Sequence, residues 1–186
     1  MKKNLKASTF LAPVPVVMVT CGDEEKSNVI TLAWVGTVNS DPPMVSISVR
    51  YGRYSYPIIK EKGEFTINLV DASLVEATDR CGVLSGRDGD KFSRAGLTKV
   101  PGVAVKAPYI AESPASLECK VVQETDFGSH AVFLAEIVNV IADEKYVGEN
   151  GSLQLPDGLL VAYANGKYVA TGKTLGTYAY TAKKKQ

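Results

Sequence analysis

The chain has one histidine, one tryptophan and three cysteines among 186 residues. Each scarcity excludes a class of chemistry. A single His without clustered carboxylates leaves no ligand set for a metal centre and no base for a Ser-His-Asp triad. Cys21, Cys81 and Cys119 are far apart and include no Cys-x-x-Cys pair. Neither a zinc ribbon nor a dithiol redox motif is expected, and a reducing compartment, the cytoplasm, is the natural setting. Charge imbalance is equally small, with 21 Lys+Arg against 20 Asp+Glu. A dedicated nucleic-acid binder would show a basic face, so nucleic acid is not an expected partner. The Lys183-Lys184-Lys185 run is read as a solvated tail. No stretch approaches the roughly 20 apolar residues of a membrane span, and none is expected. There is no Gly-x-Gly-x-x-Gly fingerprint. Lys167 to Thr174 ends like a P-loop, but it opens on Lys, and Gly166 lies one residue too early. The length suits one domain over residues 1–186, with no repeat, long linker or low-complexity segment.

The N-terminus has a basic start and an uncharged run to Cys21, the outline of a secretory signal. Pro13 and Pro15 would break the apolar helix such a signal needs, and Val19-Thr20 is a poor cleavage site. Val14 to Thr20 therefore reads as a strand entered through prolines. Cys21 to Lys26 supplies a turn, and Asn28 to Val35 returns as a hairpin partner.

The stretch from Asn28 to Arg50 carries most of the chemistry. A turn at Asn39-Ser40-Asp41-Pro42-Pro43 leads into a run that alternates strictly: Val45, Ile47 and Val49 on one face, Ser46, Ser48 and Arg50 on the other. A face of small hydroxyls ending in a guanidinium leaves room and donors for a flat or anionic group. Trp34 lies just upstream. The alternative is an ordinary half-buried hairpin.

Pro57 suits the first turn of a short helix beginning near Ser55 or Tyr56 and ended by Gly63. A helix start after Arg50 and Arg53 is either an anion site or simple capping. Glu64 to Val70 reads as a strand, and Asp71 or Ser73 opens a second helix with Leu74, Val75, Thr78 and Cys81 on its buried face. The Gly-rich loop from Ser85 to Phe92 suits a phosphate, with Lys91 adding charge, but such loops are usually plain surface turns. Strands are expected over 103–107, 115–123, 131–141 and 159–164. His130 opens the third of these, where a structural or surface role is the ordinary one. Mostly β with short helices points to a closed or nearly closed barrel.

With these segments in place, the chain resembles the flavin reductase-like FMN-binding split-barrel proteins, and among them the flavoredoxin-type branch. The carriers are Pro13-Val-Pro-Val-Val-Met-Val-Thr20, Asn28-Val-Ile-Thr-Leu-Ala-Trp34, Asp41-Pro42-Pro43, Gly63-Glu-Phe-Thr-Ile-Asn68-Leu69, Ser85-Gly86 with Asp90-Lys91-Phe92, and Leu117-Glu118-Cys119 followed by His130. The resemblance implies a homodimeric split β-barrel, mainly β with short α-helices, holding FMN near the dimer interface. It places Asn28, Thr31, Ala33 and Trp34 along the flavin ring. Ser46, Ser48, Arg50, Tyr54 and Ser55 serve the ribityl chain and phosphate. Lys91 reaches the phosphate or ring edge, His130 approaches the flavin, and Tyr163 lies beside it.

The implied activity is an FMN-dependent oxidoreductase, with electrons from NAD(P)H or a ferredoxin-like protein partner passing through the cofactor to an acceptor. No residue is expected to act as a nucleophile or as a proton-transfer catalyst by itself. The alternatives are a flavin reductase that releases FMN as a diffusing substrate for a partner monooxygenase, and a split barrel that binds a ligand without redox chemistry.

Overall fold

A computed structural model describes residues 1–182. The basic run Lys183-Lys184-Lys185 lies outside the described residues. The strands are β1 (Val14–Pro15), β2 (Val17–Gly22), β3 (Ser27–Leu32), β4 (Val35–Ser40), β5 (Pro43–Arg50), β6 (Glu64–Leu69), β7 (Lys99–Val100), β8 (Tyr109–Ile110), β9 (Ala115–Asp126), β10 (His130–Ala142), β11 (Val161–Ala164) and β12 (Lys167–Ala170). The helices are α1 (Ser55–Lys62), α2 (Val75–Val83) and α3 (Lys91–Ala95). Seven strands form one antiparallel sheet in the order β3-β2-β6-β9-β10-β5-β4. A smaller sheet, β1-β11-β12, stands beside it.

The expected return strand from Asn28 to Val35 breaks at Ala33-Trp34 into β3 and β4, which occupy opposite edges of the large sheet. Two residues link those edges, so the sheet must curl, and it stays open because β3 and β4 do not pair. The Trp34 carbonyl accepts from the Ser48 N–H at 3.0 Å, tying the crossing to β5.

The hairpins follow their turn residues. The β4–β5 turn holds a cis Asp41-Pro42 bond, and Asn39 donates to the Pro42 carbonyl at 2.9 Å. In β5 the alternation holds: Val45, Ile47 and Val49 are buried, Ser46 and Ser48 are half-buried, and Arg50 is exposed. The inner face packs with Val19, Phe65 and Phe133 and with Ile58 and Ile59 of α1. Its apolar burial, at about 25 cal/mol per Å², is the main source of stability. A second cluster places Met18, Val29, Leu74, Cys81 and Phe92 under α2 and α3. Strand β2 feeds both clusters, which is why its sequence is apolar on both faces.

Helix α1 ends at Gly63, whose φ of 66° is left-handed and whose N–H returns to the Ile59 carbonyl. The second helical region begins at Asp71, whose side chain accepts from the Ser73 and Leu74 N–H groups of a single 3-10 turn before α2 proper.

The strand expected over 103–107 does not form. The Val103 and Ala104 N–H groups donate to the Glu118 carboxylate at 2.6 and 2.9 Å, and the Lys106 N–H donates to Glu64. Side-chain oxygens thus take the donors that a neighbouring strand would have used. The P-loop-like stretch begins as strand β12, and both the N–H and the hydroxyl of Thr174 bond Asp157. No helix among the described residues is long and apolar enough to cross a membrane.

Candidate functional site

Three segments meet where β3 begins, where β5 turns into α1, and where α2 runs into α3. Between them is a cavity of about 130 Å³ lined by Asn28, Arg53, Ser55, Gly86, Arg87 and Lys91, among others. Ser55 is fully buried because it opens α1 beneath β3, and its hydroxyl accepts from Asn28 Nδ2 at 2.7 Å. Helix α1 has no side-chain cap, so its first turn keeps N–H capacity for an anion. Lys91 is only 3% exposed. Asp90 caps α3 by accepting from the Phe92 and Ser93 N–H groups, which starts the helix at Lys91. The Lys91 ammonium donates to the Cys81 carbonyl at 2.6 Å.

Burial holds the Lys91 pKa below the usual lysine range. The neighbouring Arg53 guanidinium acts in the same direction, while the Cys81 and Cys21 thiols oppose it. No carboxylate lines the cavity among the described residues. A small cavity with a buried ammonium, two guanidiniums and an uncapped helix start has the donor set of a site for one phosphate group. Gly86 makes the close approach possible: a Cβ there would stand 2.4 Å from Tyr54 Cδ1 and 2.6 Å from Asn28 Oδ1.

Cys21 and Cys81 sit against this cation without being activated. Burial pushes their thiols up to about 12 and about 11, respectively. All three cysteines are free and buried, as suits packing groups.

The second feature is aromatic. Trp34, 45% exposed at the crossing between sheet edges, stacks on His130 with ring centroids 4.7 Å apart and planes tilted by 34°. His130 pairs across the ladder with Arg50, and Ser129 Oγ lies 2.8 Å from its Nδ1. Burial, and next the Arg50 charge, depress the His130 pKa, so the ring is neutral at pH 7. Trp34 also lines a cavity of about 420 Å³ with Phe10, Leu11, Val14, Tyr163 and Asn165. Tyr163 is set there by pairing with Val14 and by an edge contact to Tyr168 at 5.6 Å.

The structure therefore sorts the expected residues into groups. Asn28, Tyr54, Ser55 and Lys91 surround the cationic cavity. Trp34 and Tyr163 line the aromatic one, with His130 stacked on Trp34. Ser46 and Ser48 share the outer face of β5 with Arg50, which sits beside His130 and outside the cavity lining. Ala33 lies in the crossing. Thr31 turns the other way: its hydroxyl donates to the Thr78 carbonyl of α2 at 2.5 Å, and Gly82 leaves room for its methyl group. The hydroxyl thus docks α2 onto β3. Thr31→Val is expected to cost about 0.5–1.5 kcal/mol, a Tm fall of roughly 1–6 °C by calorimetry. An unchanged melt would deny the docking role.

Arg53 and Arg87 are the cavity residues with the weakest sequence signal. Arg53 is marked only by its place before a helix. Arg87 belongs to a polar loop like many others, and only the fold brings it opposite Arg53.

Residues 10–172 match the family described as the flavin reductase like domain. The flavoredoxin of Desulfovibrio vulgaris (Miyazaki F) is 34% identical, with a TM-score of 0.88 over 98% of this chain and 100% of that one. The flavoredoxin of Methanosarcina acetivorans is 29% identical, with a TM-score of 0.86 over 98% of each chain. The FMN-binding protein of Thermus thermophilus with bound 1-cyclohex-2-enone shares the fold at 21% identity, with a TM-score of 0.81 over 95% of this chain and 97% of that one. A match running from the N-terminal segment beside Trp34 to the residues after β12 spans both cavities and the curled sheet that carries them, and so the chain belongs to the flavin reductase-like family, with its split-barrel fold.

Proposed function

We propose that this protein is a flavoprotein that binds FMN non-covalently and passes electrons through it, from NAD(P)H or a protein donor to an acceptor. The observation that carries this reading is the buried Lys91 in an acid-free cationic cavity. A permanent buried cation costs stability unless an anion is to meet it. The names of the flavoredoxin and FMN-binding neighbours support the same cofactor.

In this reading Lys91, Ser55, Asn28, Tyr54 and the start of α1 hold the phosphate end. Ser46, Ser48 and Arg50 line the route along β5, and Thr31 and Ala33 lie where the chain turns toward the ring. Trp34, His130 and Tyr163 take the ring end. Bound FMN supplies hydride and single-electron chemistry that no side chain here provides. The side chains orient and shield. Trp34 and Tyr163 offer flat apolar surface that excludes water from one side. His130, neutral at pH 7, keeps one ring N–H as a donor toward developing negative charge without adding a full charge of its own. No nucleophile is required.

The working unit is a single domain over residues 1–186, in a homodimer located in the cytoplasm. Half-buried Val132 and Leu134 on the outer face of β10, beside Ser48 and Ser46 of β5, support a second copy packing there.

The test is the anaerobic visible spectrum of the purified protein with FMN, before and after NADH or NADPH. Bands near those of oxidised flavin that bleach with pyridine nucleotide are the expected result. Bleaching only with dithionite would move the donor to a protein. Failure to take up FMN would sink the proposal.

A further inference from the structure

Two arginines cross the exposed rim of the cationic cavity in opposite directions. Arg53, in the turn between β5 and α1, donates from Nη1 to the Gly82 carbonyl in the last turn of α2 at 3.4 Å. Arg87, in the turn after α2, donates from Nη1 to the Gly52 carbonyl at 3.2 Å. Each arm reaches the segment that the other arm leaves. Both bonds are long and go to neutral acceptors. Among the described residues neither guanidinium has a carboxylate partner, whereas Lys60, Lys62, Arg80 and Lys145 each have one. Each bond uses one of the five N–H donors of its guanidinium, so both forks keep donors for a phosphate. The Arg87 guanidinium also stands 5.8 Å from the centre of the Tyr54 ring, which steadies it beside the cavity.

We propose that Arg53 and Arg87 are a two-armed latch for the 5′-phosphate of the flavin. This rests on the FMN reading above. On binding, each guanidinium exchanges a weak carbonyl bond for a charge-assisted bond to phosphate oxygens. The two turns, bridged directly when the site is empty, become bridged through the ligand. Release then requires both arms to let go, so the latch acts on the dissociation rate. It makes retention depend on the phosphate: riboflavin, with the same ring but no phosphate, is not held. The arms are positioning and specificity residues with no part in electron transfer. They separate a flavin that stays from one that diffuses away.

The experiment measures dissociation rates of FMN and riboflavin from the full chain and from Arg53→Gln, Arg87→Gln and the double variant, by stopped-flow dilution with flavin fluorescence. Each single change is expected to speed FMN release by about tenfold, as suits one charge-assisted bond. Riboflavin rates stay at the parent value, and Arg87→Lys recovers part of the retention. Melting curves of the flavin-free variants check folding, and the lysine variants at both positions stand in if a glutamine variant does not fold. Parent FMN rates in both glutamine variants would overturn the latch while leaving FMN binding intact. Equal acceleration of FMN and riboflavin would show that the arginines only brace the turns. A parent chain that binds no flavin would overturn the FMN reading itself, and the first trace would show it.

Discussion

Lys91→Met is expected to weaken FMN binding by roughly two orders of magnitude, the scale of truncating one partner of a buried charge pair. The same change should leave the flavin-free protein as stable as the parent or more so. Opposite signs arise because Lys91 is a buried ammonium whose one bond among the described residues goes to a carbonyl. Without an anion its desolvation is poorly offset, and Met fills the space with no charge to bury. With the phosphate present, the ammonium supplies attraction that Met cannot. Fluorescence titration with FMN and a urea melt of the flavin-free form measure the two effects. A Met variant that binds FMN like the parent would remove Lys91 from the site.

The pH dependence follows from the same group. Burial holds its folded pKa below 10.5, the unfolded value. Between those two values the unfolded chain binds more protons, so the stability of the flavin-free protein rises with pH through that window. FMN affinity runs the other way, falling as the ammonium loses its proton. Titrations at rising pH should therefore show weaker binding to a more stable protein, and both trends should vanish in the Met variant.

Glu118→Ala is expected to destabilise the fold by about 3 kcal/mol, from the loss of several bonds to one buried charge. For a chain of this size that is a Tm fall of roughly 6–12 °C. Glu118 is fully buried in β9 and accepts from the Val103 and Ala104 N–H groups and from Asn139 Nδ2 at 2.7 Å. Gly102 packs against the same carboxylate, where a Cβ would come within 2.8 Å of Oε1. One side chain thus replaces the strand ladder for a whole loop. Glu118→Gln should also destabilise, because its amide NH₂ offers donors to donors. A loss of less than about 1 kcal/mol in urea melts would mean that water takes over those N–H groups without penalty.

What the sequence discloses depends on distance along the chain. Strand β5 declares itself because alternation and the Pro42-Pro43 turn are local, and α1 because Pro57 and Gly63 bracket it. The break at Ala33-Trp34 is hidden, since nothing in Leu32-Ala33-Trp34-Val35 interrupts an apolar run; only the pairing of β3 with β2 and of β4 with β5 cuts it. The false strand at 103–107 has the same origin. Its composition suits a strand, and a carboxylate eleven or more residues away claims its donors. Among the site residues, Lys91 and Ser55 are marked by neighbouring cap and turn signals. Arg87 becomes meaningful only through Gly52, which lies 35 positions away.

The passage of the chain from one sheet edge to the other through Ala33-Trp34 also dictates an order of assembly. The β9–β10, β4–β5 and β2–β3 hairpins join near neighbours in sequence and can form early, because short loops cost little entropy to close. Bringing the two edges into register around Trp34 needs the intervening strands of the sheet in place, so it comes late and gives the protein a slow, topology-limited final step. The seam where Trp34 meets His130 would then be the last part to form and among the first to open. Amide hydrogens there should exchange through local opening well before those of β2, β6 and β9, and a ligand bridging the seam would slow that exchange more than any other.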